Sequence, residues 1–289
     1  MKVIRTIPEL RAFVADSRAR SRRVGFVPTM GALHEGHLSL IRSASGACDD
    51  VIVSVFVNPT QFNDAGDLQA YPRDEEHDIR LASDAGADVA FVPDRAEMYP
   101  PGFATSIHVG GVSERWEGES RGASHFDGVA VVVSKLLLMV MPDAAWFGQK
   151  DAQQVAVVRR LVSDLNVDSE IFAGPTVRDS DGLALSSRNT RLSAEERVTA
   201  LGISRSLRSV VARADDGEVD AGVLADHGRA IAQDAGVDVE YWAIVDPATF
   251  EPVERVGEKV ALAIVAGRVG SVRLIDNMTI PAVGAAGRE

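Results

Sequence analysis

The sequence predicts an α/β protein, with a parallel sheet covered by helices on both faces, followed by a smaller α+β domain. Two observations support this fold class. In the first part of the chain, short and almost wholly apolar segments alternate with helix-like segments. From about Thr176 the pattern changes, because two helical segments come first and strand-like segments follow. The predicted domains are therefore residues 1–176 and 177–289.

The first domain is predicted to contain five strands, each a short apolar segment. They are Val24–Val27, Val51–Val57, Val89–Val92, Ala144–Phe147 and Ser169–Phe172. Helices are predicted between them at Leu38–Ala47, Asp74–Asp84, Val129–Met139 and Ala152–Leu165, after a first helix whose start is marked by the capping pair Thr6 and Glu9. In a sheet of this kind the ligand lies at the carboxyl ends of the strands. Chemically important residues are therefore expected just after strands.

The second domain is predicted to begin with a long helix. Ser193 and Glu196 form a capping box at its start, and the polar segment 215–217 ends it. A second helix is expected over Ala221–Ala235. Three strands are then predicted, at Val237–Val245, Val260–Val265 and Val272–Asp276.

The composition excludes some classes of function. The net charge of −12 disfavours binding to nucleic acid or to anionic membranes, which requires a basic face, so neither partner is expected. It does not disfavour ATP, since one local basic cluster suffices for a phosphate chain. The apolar segment Val129–Met141 is too short to span a bilayer. The single cysteine, Cys48, is interpreted as a buried thiol and fits a reducing cytoplasm, the expected location.

The most informative segment is Pro28–His37, which follows the first predicted strand and leads into a helix. His34 and His37 are predicted to lie on the first helical turn, where backbone N–H groups and the helix dipole favour phosphate. Two imidazoles there would stabilise charge developing on a reacting phosphate. The spacing His-Glu-x-His is one residue too short for a zinc protease, and this turn has neither a Walker loop nor a Gly-x-Gly-x-x-Gly motif. A pair of exposed helix-start histidines is the alternative.

Two further polar segments follow predicted strands. Asn58-Pro59 predicts a turn that places Gln61 beyond the second strand, where its amide could bind a hydroxyl or carboxylate; an ordinary loop glutamine is equally compatible. After the fourth strand, Lys150 is predicted to direct its ammonium group toward phosphates. Asp151 is interpreted as a helix cap or a ribose ligand, although a capped surface helix would look similar.

The third segment, 181–189, is a polar loop beyond the last strand of the first domain. Ser186, Ser187 and Arg188 together could bind a triphosphate, the arginine through its fixed fork of donors. Serine-rich loops are common, so this segment alone is weak evidence.

Taken together, these segments resemble the pantoate–β-alanine ligase family. The resemblance depends on segments 28–37, 56–62, 70–73, 147–151 and 181–189, which occur in the family's order and at similar spacings. It implies a Rossmann-like nucleotidyltransferase domain with a parallel sheet, a smaller α+β C-terminal domain acting as a lid, and a homodimer. It also implies a reaction in which ATP and pantoate form pantoyl adenylate and pyrophosphate, after which β-alanine displaces AMP.

The resemblance also implies roles for individual residues. The resemblance implies catalytic roles for four residues, which are His37, His34, Lys150 and Arg188. The implied ATP-binding residues are Pro28, Met30, Gly31, Ala32, Leu33, His34, Glu35, Gly36, His37, Gly148, Gln149, Lys150, Asp151, Val177, Leu185, Ser186, Ser187 and Arg188. Gln61, Gln154 and Arg121 are implied to bind the other substrates. No protein metal ligand is expected, since Mg²⁺ would enter with ATP and be held mainly by phosphates.

One segment departs from the family pattern. The family usually has Arg-Pro-x-His-Phe, whereas here Arg121 and His125 are separated by one extra residue and the proline is missing. Either the extra residue forms a bulge and the guanidinium still enters the site, or the side chain faces water. The first outcome is favoured, because a carboxylate substrate binds well to the fork of an arginine.

Two alternative functions remain at this point. The first is another nucleotidyltransferase, such as a cytidylyltransferase or a phosphopantetheine adenylyltransferase. Gln61 and the segment 186–188 argue against it. The second is a nucleotide-binding regulator without turnover, which the intact His34, His37, Lys150 and Arg188 disfavour.

Overall fold

The computed structural model describes residues 1–62, 65–122 and 124–282. The chain divides into two compact units. Unit 1 comprises Met1–Gln149 and Val157–Pro175, and unit 2 comprises Lys150–Ala156 and Thr176–Glu289.

Unit 1 contains a parallel sheet of six strands among the described residues. The strands are Lys2–Ile4 (β1), Val24–Thr29 (β2), Asp50–Val55 (β3), Val89–Phe91 (β4), Ala144–Gly148 (β5) and Glu170–Gly174 (β6). Its helices are Ile7–Ala19 (α1), Glu35–Ala47 (α2), Ala65–Ala70 (α3), Glu75–Asp84 (α4), Arg95–Met98 (α5), Glu117–Arg121 (α6) and Ser124–Val140 (α7). Helix α8, Ala152–Asp164, has residues in both units. The α/β class with a parallel sheet is thus confirmed.

The order of the strands locates the ligand crevice of this sheet. The order is β1-β4-β3-β2-β5-β6, and every pairing is parallel. Successive strands run outward from β2 through β3 to β4, and the chain then returns to place β5 on the other side of β2. The direction of winding therefore reverses between β2 and β5. Open α/β sheets bind ligands beside this reversal, at the carboxyl ends of the strands.

Several predicted boundaries were wrong by a few residues. The strand predicted to reach Val57 ends at Val55, because Asn58 caps a 3₁₀ turn over Pro59–Gln61. The helix predicted to start at Leu38 starts at Glu35, and the helix predicted from Val129 starts at Ser124. The short edge strand β1 was not predicted, because two of its three residues are exposed and it has no apolar run.

Unit 2 contains an antiparallel sheet of three described strands, Asp238–Val245 (β7), Ala261–Val269 (β8) and Val272–Ile280 (β9), in that order. Helices Ala194–Asp215 (α9) and Ala221–Asp234 (α10) share one hydrophobic core with it. The predicted capping box of Ser193 and Glu196 is present at the start of α9. Strands β8 and β9 are longer than predicted. Gly228 of α10 lies so close to Trp242 that a Cβ would meet the indole ring at 2.4 Å.

No helix in the described part of the chain is long and apolar enough to span a membrane.

Candidate active site

The first group of candidate residues forms a tight turn after β2, which we call the histidine turn (residues 30–37). Its backbone is left-handed at Gly31, with φ 80°, and at Ala32, with φ 50°. A buried carboxylate, Asp78 of α4, accepts the backbone N–H groups of Ala32 and Leu33 at 2.9 and 2.7 Å. A Cβ at Gly31 would come within 2.8 Å of the same carboxylate, so the turn requires glycine there. Ala32 is held in a strained conformation by these bonds.

The two histidines occupy different positions at the start of α2. The prediction that both lie on the first helical turn was wrong for His34, which is the N-cap with extended backbone, while His37 is the third helical residue. The Nδ1 of His34 accepts the N–H of Gly36 at 3.2 Å, and the Nδ1 of His37 accepts the N–H of His34 at 3.3 Å. The imidazoles therefore form a reciprocal capping box. Their ring centroids are 4.1 Å apart.

This capping box determines which nitrogen of each ring carries the proton. Because Nδ1 accepts a backbone hydrogen bond in both His34 and His37, the neutral rings are protonated on Nε2. Each neutral imidazole thus carries its N–H donor at Nε2. An Nε2–H group can donate to a phosphate without a prior change of tautomer.

Gln61 lies at the end of β3, next to the histidine turn. Its Nε2 donates to the sulfur of Met30 at 2.8 Å, and its Oε1 accepts from Nδ2 of Asn58 at 3.1 Å. Asn58 is itself buried, and its Oδ1 accepts from the hydroxyl of Tyr99 at 2.8 Å. The orientation of the Gln61 amide is therefore determined by a network that begins at Tyr99. Burial raises the pKa of the Tyr99 hydroxyl, so it remains a donor at neutral pH.

Arg121 ends helix α6, and its Nε donates to Oε2 of Glu117 one turn earlier, at 2.6 Å. The Arg121 side chain is 26% exposed. Ala123, the residue after Gly122, lies outside the described residues. The Nδ1–H of His125 donates to the backbone carbonyl of Gln61 at 2.9 Å. A role for Arg121 toward the substrate stays a prediction.

Gly148 and Gln149 lie at the carboxyl end of β5, the strand next to β2 at the reversal of winding. The ends of β2, β3 and β5 therefore carry the histidine turn, Gln61 and Gly148 at one edge of the sheet. The structure thus brings the histidine turn, Gln61 and Gly148 to the edge predicted for the ligand.

In unit 2, Lys150, Asp151 and Gln154 lie at or just before the start of α8. The Nζ of Lys150 is 3.9 Å from Oδ1 of Asp151, and the lysine side chain is 18% exposed. The carbonyl of Lys150 accepts from Nδ2 of Asn277, on β9, at 2.9 Å.

The remaining candidate residues belong to a second structure, which we call the arginine hairpin (residues 177–188). The N–H of Leu185 donates to the carbonyl of Val177 at 2.9 Å, and a bridge pairs Arg178 with Ala184. Gly182 allows the tight reversal with φ 94°. Ser186 then caps a 3₁₀ turn over Ser187–Arg191, its Oγ accepting the N–H of Arg188 at 3.2 Å. The serines and the arginine predicted to bind phosphate thus lie at the start of this turn.

Ion pairs hold the first strand and the turn of the arginine hairpin. Arg178 binds Asp276 through both guanidinium nitrogens, at 2.6 and 3.0 Å. Arg197 binds Asp179 at 2.6 Å and Asp181 at 2.8 Å. The hydrogen bond from Arg197 lowers the pKa of Asp181 below its usual 3.8, and the N–H of Leu183 contributes to this lowering. The same pairs raise the pKa of Arg197.

Among the described residues, no group of three or more His, Cys, Asp or Glu side chains is placed to hold a metal ion.

Known proteins share this fold and much of this sequence. The profile of the pantoate–β-alanine ligase family matches residues 2–279. The chain belongs to this family. A pantothenate synthetase from Rhizorhabdus wittichii is 52% identical over 97% of this chain and 99% of its own.

Solved structures agree with this assignment. The pantothenate synthetase of Thermus thermophilus has a TM-score of 0.90 and 44% identity, and the alignment covers 97% of this chain and all of that one. The pantoate–β-alanine ligase of Francisella tularensis, solved with β-γ ATP and β-alanine, has a TM-score of 0.78 at 34% identity, over 96% of this chain and 97% of that one. The family resemblance deduced from the sequence is confirmed.

Sequence reasoning missed the residues that support the site. The sequence does contain a clue to Asp78, because this residue lies on the buried face of α4 with Ala82, four residues later. The sequence predicts only a turn at Asn58, whereas in the structure the Asn58 side chain orients Gln61. The sequence predicts Asp276 as the last residue of its strand, whereas the strand continues to Ile280.

Proposed function

We propose that the chain catalyses the ATP-dependent condensation of pantoate with β-alanine. Pantoyl adenylate is the intermediate, and the products are pantothenate, AMP and pyrophosphate. The observation that supports this most strongly is the reciprocal capping box of His34 and His37, which presents two Nε2–H donors at the carboxyl edge of the sheet. The assignment to the pantoate–β-alanine ligase family names the substrates.

The reaction requires positioning rather than a protein nucleophile. An oxygen of the pantoate carboxylate attacks the α-phosphorus of ATP, and pyrophosphate leaves with the electron pair of the broken P–O bond. Negative charge accumulates on the phosphate oxygens, where His34 and His37 donate hydrogen bonds. Lys150 and Arg188 neutralise the triphosphate. The amine of β-alanine then attacks the acyl carbon, loses a proton and displaces AMP.

The other proposed roles follow the substrates. Gln61 and Gln154 bind pantoate, and the fixed amide of Gln61 distinguishes its polar groups. Arg121 is proposed for the carboxylate-bearing substrates. Phosphate oxygens and water would be the main ligands of a Mg²⁺ ion bound with ATP, because Mg²⁺ prefers oxygen ligands, and the ion would neutralise phosphate charge. The chain works as a cytoplasmic homodimer.

The experiment is a substrate-omission assay in which pyrophosphate and AMP are measured separately. The purified protein should release about one equivalent of pyrophosphate with ATP, Mg²⁺ and pantoate alone. It should release AMP only when β-alanine is added. Pyrophosphate release without pantoate would indicate a different nucleotidyltransferase. ATP binding without any release would indicate a nucleotide-binding regulator.

A further inference from the structure

The last strand of unit 2, β9, has a charged residue where its pattern requires an apolar one. The alternate residues Val272, Leu274 and Ile280 belong to the hydrophobic core of this unit. Asp276 falls in the same alternation, and its side chain is 3% exposed. Its neighbour Asn277 is also buried, with 6% exposure. A buried carboxylate is costly unless it is paired, so these two residues require an explanation.

Both side chains contact segments that carry proposed ATP-binding residues. The guanidinium of Arg178, in the arginine hairpin, donates to both carboxylate oxygens of Asp276 and to the carbonyl of Gly182 at 3.3 Å. Asn277 donates its Nδ2 to the carbonyl of Lys150 at 2.9 Å. The N–H of Asn277 also donates to Oδ1 of Asp276 at 2.8 Å, which orients the carboxylate. Two adjacent residues thus bind two segments that are distant in sequence.

Stability alone does not account for this arrangement. Replacing a buried ion pair with well-packed apolar residues is often neutral or stabilising, so the pair is weak evidence for a stabilising role. The strand itself provides a rigid support, because β9 pairs with β8 from Val272 to Ile280 without interruption. Rigid elements with fixed hydrogen bonds hold binding groups more accurately than loops do.

We propose that Asp276 and Asn277 are positioning residues that fix Lys150 and the arginine hairpin relative to each other, so that both can bind one triphosphate. This inference rests on the proposed function for the ATP-binding roles. Neither residue is proposed to touch ATP. Asp276 acts through Arg178, and Asn277 acts through the backbone of Lys150.

The test is calorimetric titration of ATP with Mg²⁺, without pantoate, alongside thermal unfolding. Asp276→Asn should weaken ATP binding about tenfold, because misplacement of a binding group by about an ångström has large effects. Asn277→Ala should weaken it severalfold. The control is Glu240→Gln, which removes ion pairs to Arg273 of β9 and Arg268 of β8 and leaves the partners of Asp276 and Asn277 in place. Its affinity for ATP should stay within about twofold of wild type.

A double variant separates positioning from stability. Arg178→Met with Asp276→Leu replaces the ion pair by apolar side chains, so the melting temperature should recover while ATP affinity stays low. Recovery of ATP affinity together with the melting temperature would overturn the proposal. Wild-type affinity in Asp276→Asn would overturn it as well. If the wild-type chain binds ATP but releases no pyrophosphate with pantoate, the proposed function fails, while the affinities of the variants still decide this inference.

Discussion

The histidine turn and the arginine hairpin both carry proposed ATP-binding residues, but they are held in different ways. In the histidine turn, the buried carboxylate of Asp78 accepts two backbone N–H groups, and the two imidazoles cap the helix that follows. In the arginine hairpin, Arg197 binds the carboxylates of Asp179 and Asp181, and Arg178 binds Asp276 of β9. Distant side chains therefore hold the histidine turn by its backbone N–H groups and the hairpin by its charged side chains.

This difference matches the chemistry proposed for each region. A donor that stabilises a transition state must be placed accurately, and backbone hydrogen bonds to a buried carboxylate leave little freedom. The arginine hairpin is proposed to bind the triphosphate chain itself, so a displaced charge there should weaken the binding of ATP rather than slow the chemical step. We therefore expect changes in the histidine turn to reduce the reaction rate most, and changes in the hairpin to affect ATP binding more.

The largest effect is expected for the histidines themselves. His37→Ala and His34→Ala should each lower the rate of pyrophosphate release at saturating ATP and pantoate by about 10²–10³-fold, the usual loss for one transition-state donor. Rapid-quench measurement of pyrophosphate gives the rate, and circular dichroism checks the fold. Near-normal release by both variants would exclude a catalytic role for the capping box.

The next largest effect is expected for a variant that weakens the hydrogen bonds holding the backbone of the histidine turn. Asp78→Asn keeps the shape of the side chain but replaces one acceptor oxygen with an NH₂ donor. One of the N–H groups of Ala32 and Leu33 then faces another donor and loses its hydrogen bond. We expect the rate of adenylate formation to fall about 10- to 100-fold.

Asp74→Ala, which removes a helix cap, is the control on the same helix. Asp74 caps α4 by accepting the N–H of His77 at 3.0 Å, so its side chain supports the start of the helix rather than the histidine turn. Equal losses of rate in both variants would show that the stability of α4, and not the bond to the turn, is what matters.

A smaller and more selective effect is expected for Gln61→Ala. The Km for pantoate should rise about tenfold or more, while the affinity for ATP stays nearly unchanged, because a site built to pair polar groups loses selectivity when one partner is removed. Separate calorimetric titrations of ATP and pantoate measure this. An equal loss of affinity for ATP and for pantoate would mean that Gln61 mainly supports the Met30 side of the histidine turn.

The smallest expected effect is a loss of local stability in the arginine hairpin at acidic pH. The pKa of Asp181 is lowered in the folded chain, so its stabilising contribution is fully present above the ordinary value of 3.8 and is lost as the pH falls through the folded pKa. Because Asp181 accepts the N–H of Leu183 at 3.1 Å, exchange of that amide should accelerate in this range after correction for the intrinsic rate. Asp181→Asn should lose this pH dependence. Retention of it would assign the titration to another carboxylate.

The sequence predicted most of the framework and part of the site. The strand before the histidine turn and the capping box of α9 follow from local rules, because apolar runs and Ser-x-x-Glu act within a few residues. The cap at His34 could not be predicted in this way, since histidine is not among the usual N-cap residues. The partners of Asp78 lie 45 and 46 residues away, and Arg178, the ion-pair partner of Asp276, lies 98 residues away. Such contacts follow from the tertiary fold alone.

In the proposed reaction a substrate carboxylate, and not a protein group, attacks the α-phosphate of ATP. The decisive measurement uses pantoate labelled with ¹⁸O in its carboxylate, with mass spectrometry of the products after turnover with ATP and β-alanine. One ¹⁸O atom is expected in AMP and none in pyrophosphate, since the oxygen that attacks phosphorus stays with AMP when β-alanine attacks the acyl carbon. Unlabelled AMP would show that the attacking oxygen does not come from pantoate.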